Sequence, residues 1–178
     1  TGPDNPASIR AMAVHDGRLY LGYAYDIADA DIQPGEIWMS NDGINFEPLM
    51  HDGFDNSNNR GVETLISFND WLYAGTRNDA EGYEIWKLDG PKGGAAIKVV
   101  DNGGPDPRNE TAGTATVFKN KLYIGSMIYY GFNTREGYGL KGCDIIRIEQ
   151  DDQWETVVGK DSLSGYDSGF NFFTNVYC

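Results

Sequence analysis

Apolar and polar residues alternate along this chain in short bursts, each closed by Gly, Asn, Asp or Pro. Ile9 to Val14 form the first burst, followed by Asp16-Gly17, a dipeptide suited to a two-residue hairpin because both positions tolerate positive φ. Leu19 to about Tyr23 make a second predicted strand and Glu36 to Met39 a third. After the turn signal Asn41-Asp42-Gly43, Phe46 to Met50 make a fourth. A period of two with β-branched and aromatic enrichment predicts strands. Every candidate helical stripe is interrupted by Gly or Pro, so almost no helix is expected.

The same order of words then returns twice. Leu19-Tyr20-Leu21-Gly22 recurs as Leu72-Tyr73-Ala74-Gly75 and as Leu122-Tyr123-Ile124-Gly125, at offsets of 53 and 50 residues. Each copy follows a turn signal: His15-Asp16-Gly17, Asn69-Asp70 and Lys119-Asn120. Downstream, Glu36-Ile37-Trp38 is repeated by Glu84-Ile85-Trp86 and more loosely by Asp144-Ile145-Ile146. Phe46 to Met50, Ile97 to Val100 and Trp154 to Val158 close the units. Linkers rich in Gly, Asp, Asn and Pro precede each unit.

A four-stranded unit of about 50 residues, repeated, predicts an all-β fold of propeller blades, each sheet covered by its neighbours. The units span about 1–50, 51–100 and 101–158, and 159–178 reads as the start of a fourth. Closed propellers use about four to eight blades. The expectation is therefore an incomplete propeller, either a fragment of a longer polypeptide or a ring shared with another chain. The Leu-Tyr-x-Gly word, with Trp38 and Trp86 in two of the three units, resembles the kelch-like propeller repeats, in which a Trp closes each motif, although single glycines at 22, 75 and 125 stand where those repeats carry a Gly-Gly doublet. That resemblance implies a protein-binding or carbohydrate-binding scaffold more often than an enzyme.

Charge and composition narrow the partners. With 27 acidic against 14 basic residues, the net charge of -13 repels phosphate backbones, which argues against nucleic acid. No apolar run approaches the ~18 residues of a membrane helix. The 13% aromatic content argues against a chain that stays disordered.

Four groups of residues could carry chemistry. Tyr129, Tyr130, Arg135 and Tyr138 fall in the longest insertion and offer amphipathic surface for a glycan or a protein ligand. Asp52, Asp55, Asn56 and Asp106 lie in the linkers, where carboxylate and amide oxygens could hold Ca²⁺ or simply make turns. Glu63, in the inner strand of the second unit, is the candidate catalytic carboxylate, and Arg10 takes the related place in the first. Cys143 and Cys178, the two cysteines, are a candidate disulfide. Neither His15 nor His51 belongs to a catalytic motif. The expected function is an extracellular or cell-surface module, without membrane insertion, that recognises a glycan or protein through blade loops and is not favoured to be an enzyme. The alternatives are part of a glycan-active hydrolase or lyase with an acidic channel mouth, and a purely structural repeat.

Overall fold

The computed structural model describes residues 7–25, 33–90, 96–128, 142–165 and 176–177. Among them every element is a β-strand. The first group comprises β1 (Ala7–His15), β2 (Arg18–Tyr25), β3 (Glu36–Ser40) and β4 (Glu47–Met50). The second is β5 (Gly61–Phe68), β6 (Trp71–Arg77), β7 (Ile85–Leu88) and β8 (Ile97–Val100). The third is β9 (Thr111–Phe118), β10 (Lys121–Ile128), β11 (Ile145–Ile148) and β12 (Trp154–Val158), and β13 (Val176–Tyr177) follows.

Within each group the four strands pair antiparallel in chain order. The tight turns come from local backbone chemistry. Asp16 and Gly17, Asn69 and Asp70, and Lys119 and Asn120 all have positive φ, the hairpin geometry that matches strand twist. The fold is therefore all-β, built of propeller-type blades.

The repeat extends to its irregularities. The first strand of each blade carries one extra residue at which the register with the second strand shifts: Arg10 in β1, Glu63 in β5 and Gly113 in β9. Neighbouring blades join through one backbone bridge, Ala24 to Gly61 and Arg77 to Thr111. On β10 the matching bridge is Met127 to Tyr177, so β13 stands where the first strand of a further blade begins.

Two apolar cores lie in the seams between blades rather than inside any one of them. The first gathers Tyr20, Ile37, Phe54, Val62, Leu65 and Leu72. The second gathers Phe68, Tyr73, Tyr83, Leu122, Ile124 and Ile146. Polar bonds stitch the second seam. Thr64 donates to the Ala112 carbonyl across it at 2.7 Å, and the Tyr73 hydroxyl donates to Asp152 Oδ1 at 2.7 Å. Burial first, and then Asp152, push the Tyr73 phenol well above its ordinary range, so it remains a donor. Lys87 pairs with the other oxygen of Asp152 while lying over the Trp71 ring.

Ends of the blade stack look different from its middle. Met12 and Val14 on β1 and Phe118 on β9 are more than half exposed, whereas Leu65 and Phe68 on the central β5 are buried. Among the described residues the arrangement is open, with one blade face uncovered on each side.

The glycine of the Leu-Tyr-x-Gly word marks where blades come closest. A methyl group on Gly22 would stand 2.7 Å from the Val62 carbonyl oxygen of the next blade, and one on Gly75 would stand 2.6 Å from the Ala112 Cβ. Neither neighbour is a flexible side-chain tip, so the blades themselves would have to separate. Gly22→Ala is expected to cost about 1–3 kcal/mol in urea unfolding, the usual penalty for overpacking.

Candidate functional site

The end of the blades where linkers enter and first strands begin is held by buried amides. Asn59, 1% exposed, donates from Nδ2 to the Gly53 carbonyl at 2.9 Å and to Glu84 Oε2 at 2.6 Å. Its Oδ1 accepts from Thr76 Oγ1 at 3.2 Å and Asn78 Nδ2 at 3.1 Å. One blade on, Asn109 repeats this. It donates to the Gly103 carbonyl and to Asp144 Oδ2, both at 2.8 Å, and accepts from Ser126 Oγ at 2.9 Å. Each network ties a linker to the second and third strands of its own blade, and a buried amide with these partners leaves little of its polarity uncompensated.

The acid in each network is the first residue of the third-strand word. Burial pushes the Glu84 carboxyl up, but hydrogen bonds from Asn59, Lys98 and Trp86 together outweigh it and hold the group below its ordinary range. Phe54 stacks on Trp86 at 4.9 Å, and Lys98 reaches Glu84 at 2.9 Å. Hydrogen bonds from Asn56 and Asn78 likewise hold the nearby Glu81 low.

Above these supports lies a charged group from two blades. Glu63 is the extra residue of β5, and a bulge of this kind re-aims the side chain it carries. Its Oε1 faces Arg77 Nη1 at 3.6 Å, with both side chains more than nine-tenths buried. Arg77 Nη2 also donates to the Tyr25 carbonyl at 2.6 Å. Beside them Arg60 pairs with Asp79 at 3.2 Å. Glu110, 2% exposed, directly precedes Thr111, the backbone partner of Arg77. A carboxylate facing a guanidinium is arranged to act as an anion, which suits a base or an electrostatic stabiliser.

Other candidates stand differently. Tyr129, Tyr130, Arg135 and Tyr138 lie outside the described residues, as does Cys178. Cys143 is buried and disulfide-bonded. Asp52 and Asp55 are exposed in the 51–59 loop, where Asp52 accepts the Phe54 N–H. Asn56 bonds Glu81 and the Asn58 N–H. Asp106, one blade away, is engaged by the backbone and guanidinium of Arg108. The four are thus divided between two equivalent loops, and among the described residues no three His, Cys, Asp or Glu side chains form a group that could hold a metal ion. Sequence reasoning missed Arg77, Glu110 and the two buried asparagines. The available signal was the break in pattern at Arg77, whose counterparts in the other Leu-Tyr words are Ala24 and Met127.

No protein-family model and no curated protein sequence matches the chain. Solved structures do. A thermostable family-43 glycoside hydrolase superposes with a TM-score of 0.52 at 14% identity, over 84% of this chain and 52% of that one. An α-L-arabinofuranosidase from Clostridium thermocellum superposes with a TM-score of 0.50 at 17% identity, over 84% of this chain and 55% of that one. At these identities the likeness establishes the fold, and the chain spans about half the length of each structure. It corrects the kelch-like resemblance. The glycines at 22 and 75 of the Leu-Tyr-x-Gly word mark close approaches between blades, and both of these structures are glycoside hydrolases. The preference for a non-enzymatic binding repeat is corrected with it. No helix among the described residues is long and apolar enough to cross a membrane.

Because Glu84 holds its proton less tightly when folded than when unfolded, its charge stabilises the protein above the ordinary carboxylate range, and that contribution fades as pH falls through the lowered folded value. Glu84→Gln is expected to lower stability by about 1–3 kcal/mol at pH 7. The gap to the unmodified chain should narrow as pH falls below the ordinary carboxylate range, as read from urea midpoints across pH.

Proposed function

We propose that this chain is propeller blades of a glycan-active enzyme that hydrolyses glycosidic bonds, with Glu63 as a reacting carboxylate at the mouth of the blades. The single observation that carries this is the fold likeness to two glycoside hydrolases, whose blades overlay most of the chain. The placement of Glu63 supports it, since one acidic side chain sits on a bulge, anchored by a buried arginine, at the end where the loops gather. Glycoside hydrolysis ordinarily uses two carboxyl groups on either side of the scissile bond. Glu63 would supply the ionised member, as base or nucleophile. Glu110, immediately before the first strand of the adjoining blade, is the candidate for the second, protonated role. The net charge of -13 favours neutral glycans over anionic ones, and the bonded Cys143 favours a setting outside the cell, where disulfides persist.

The test is release of 4-nitrophenol from a panel of 4-nitrophenyl glycosides that includes the α-L-arabinofuranoside. The chain should turn over at least one member, and Glu63→Gln should lower kcat by roughly 100-fold or more, the scale of losing a reacting group. An unchanged circular dichroism spectrum would show that the variant keeps its fold. A folded chain inert on every glycoside, or full activity in Glu63→Gln, would reject the assignment.

A further inference from the structure

Building on the reading of Glu63 as a reacting carboxylate, we propose that Arg77 is its positioning residue, an inter-blade clamp that holds the carboxylate at a fixed place relative to the seam. The main chain of Arg77 is fastened twice over. It pairs with Gly61 in its own blade and with Thr111 in the next, and its carbonyl accepts the Arg60 N–H at 2.9 Å. Its side chain then runs back to the preceding blade, where Nη2 meets the Tyr25 carbonyl at 2.6 Å. One residue therefore touches all three blades.

The planar guanidinium converts that anchorage into orientation. With Nη2 committed to a main-chain oxygen, rotation of the fork is arrested and Nη1 is presented to Glu63 Oε1 at 3.6 Å. Gly61 keeps the space open, because a methyl group there would lie 3.1 Å from that same oxygen and 2.6 Å from the Ala24 Cβ. The pairing is also particular to one unit. The bulge residues of the three blades are Arg10, Glu63 and Gly113, and the residues at the place of Arg77 are Ala24, Arg77 and Met127. Arginine stands there only in the unit whose bulge is acidic, whereas a device for joining blades would have recurred at the other seam.

Two variants and two readouts test this in the whole chain. Arg77→Lys keeps the positive charge but cannot serve the Tyr25 carbonyl and Glu63 in one rigid plane. Arg77→Met removes the charge. On whichever 4-nitrophenyl glycoside is turned over, Arg77→Lys should lower kcat about tenfold with KM unchanged, and Arg77→Met about 100-fold, the scale of displacing a reacting group by an ångström. The second readout needs no turnover. The ¹³C carboxyl resonance of Glu63, assigned by its disappearance in Glu63→Gln, should titrate at higher pH in Arg77→Met, by a unit or more, with Arg77→Lys in between. If the unmodified chain is inert, the hydrolase reading fails while the carboxyl titration still decides this inference. If Arg77→Met does not fold, Arg77→Lys carries both readouts. A Glu63 resonance that titrates alike in the unmodified chain and the folded variants overturns the proposal, as does a kcat in Arg77→Lys equal to that of the unmodified chain.

Discussion

Everything in this molecule depends on how closely one blade can approach the next. A four-stranded sheet of this size has no interior of its own, and its apolar side chains become a core only when a second sheet lies against them. At Gly22 and Gly75 the distance of closest approach is set by the absence of a side chain. The consequences spread outward. The backbone bridges at Gly61 and Thr111 can form, Thr64 can reach the Ala112 carbonyl, and Tyr73 can reach Asp152. Stability and site geometry are thus two readings of one spacing.

Strands and hairpins were legible in the sequence because their causes are local. Alternation sets the exposed and buried faces, and even Lys119-Asn120, which lacks a glycine, could be found by aligning it with Asp16-Gly17 and Asn69-Asp70. The bulges at Arg10, Glu63 and Gly113 were not legible as bulges. An extra residue in a strand leaves no compositional trace and shows only in the pairing with its neighbour. Asn59 and Asn109 are of a residue type that favours turns, yet their work is done by a buried side chain that no sequence pattern announces. Glu63 could be picked out as a carboxylate in an inner strand. Its arginine could not, because the two meet only when the chain has turned back on itself.

The misplaced family resemblance has the same origin. The glycine of the Leu-Tyr-x-Gly word encodes the close stacking of one sheet on the next, as at Gly22 and Gly75, and carries no chemistry of its own. Such words report architecture, and chemistry resides in what departs from the repeat. Here the departures are an acidic bulge, a buried arginine and a buried glutamate at the head of β9, all at one end of the blades.

The regular placement of the bridges gives the molecule a modular grammar. Gly61, Thr111 and Tyr177 occupy one structural position, each two residues after an asparagine, at 59, 109 and 175. A recombination event joining two such asparagines would delete or duplicate a whole unit while presenting an equivalent edge to the next blade. Lineages built on this plan can change the number of sheets by unequal crossing-over in a single step. A unit gained in this way can afterwards acquire its own bulge residue while the older units keep their seams.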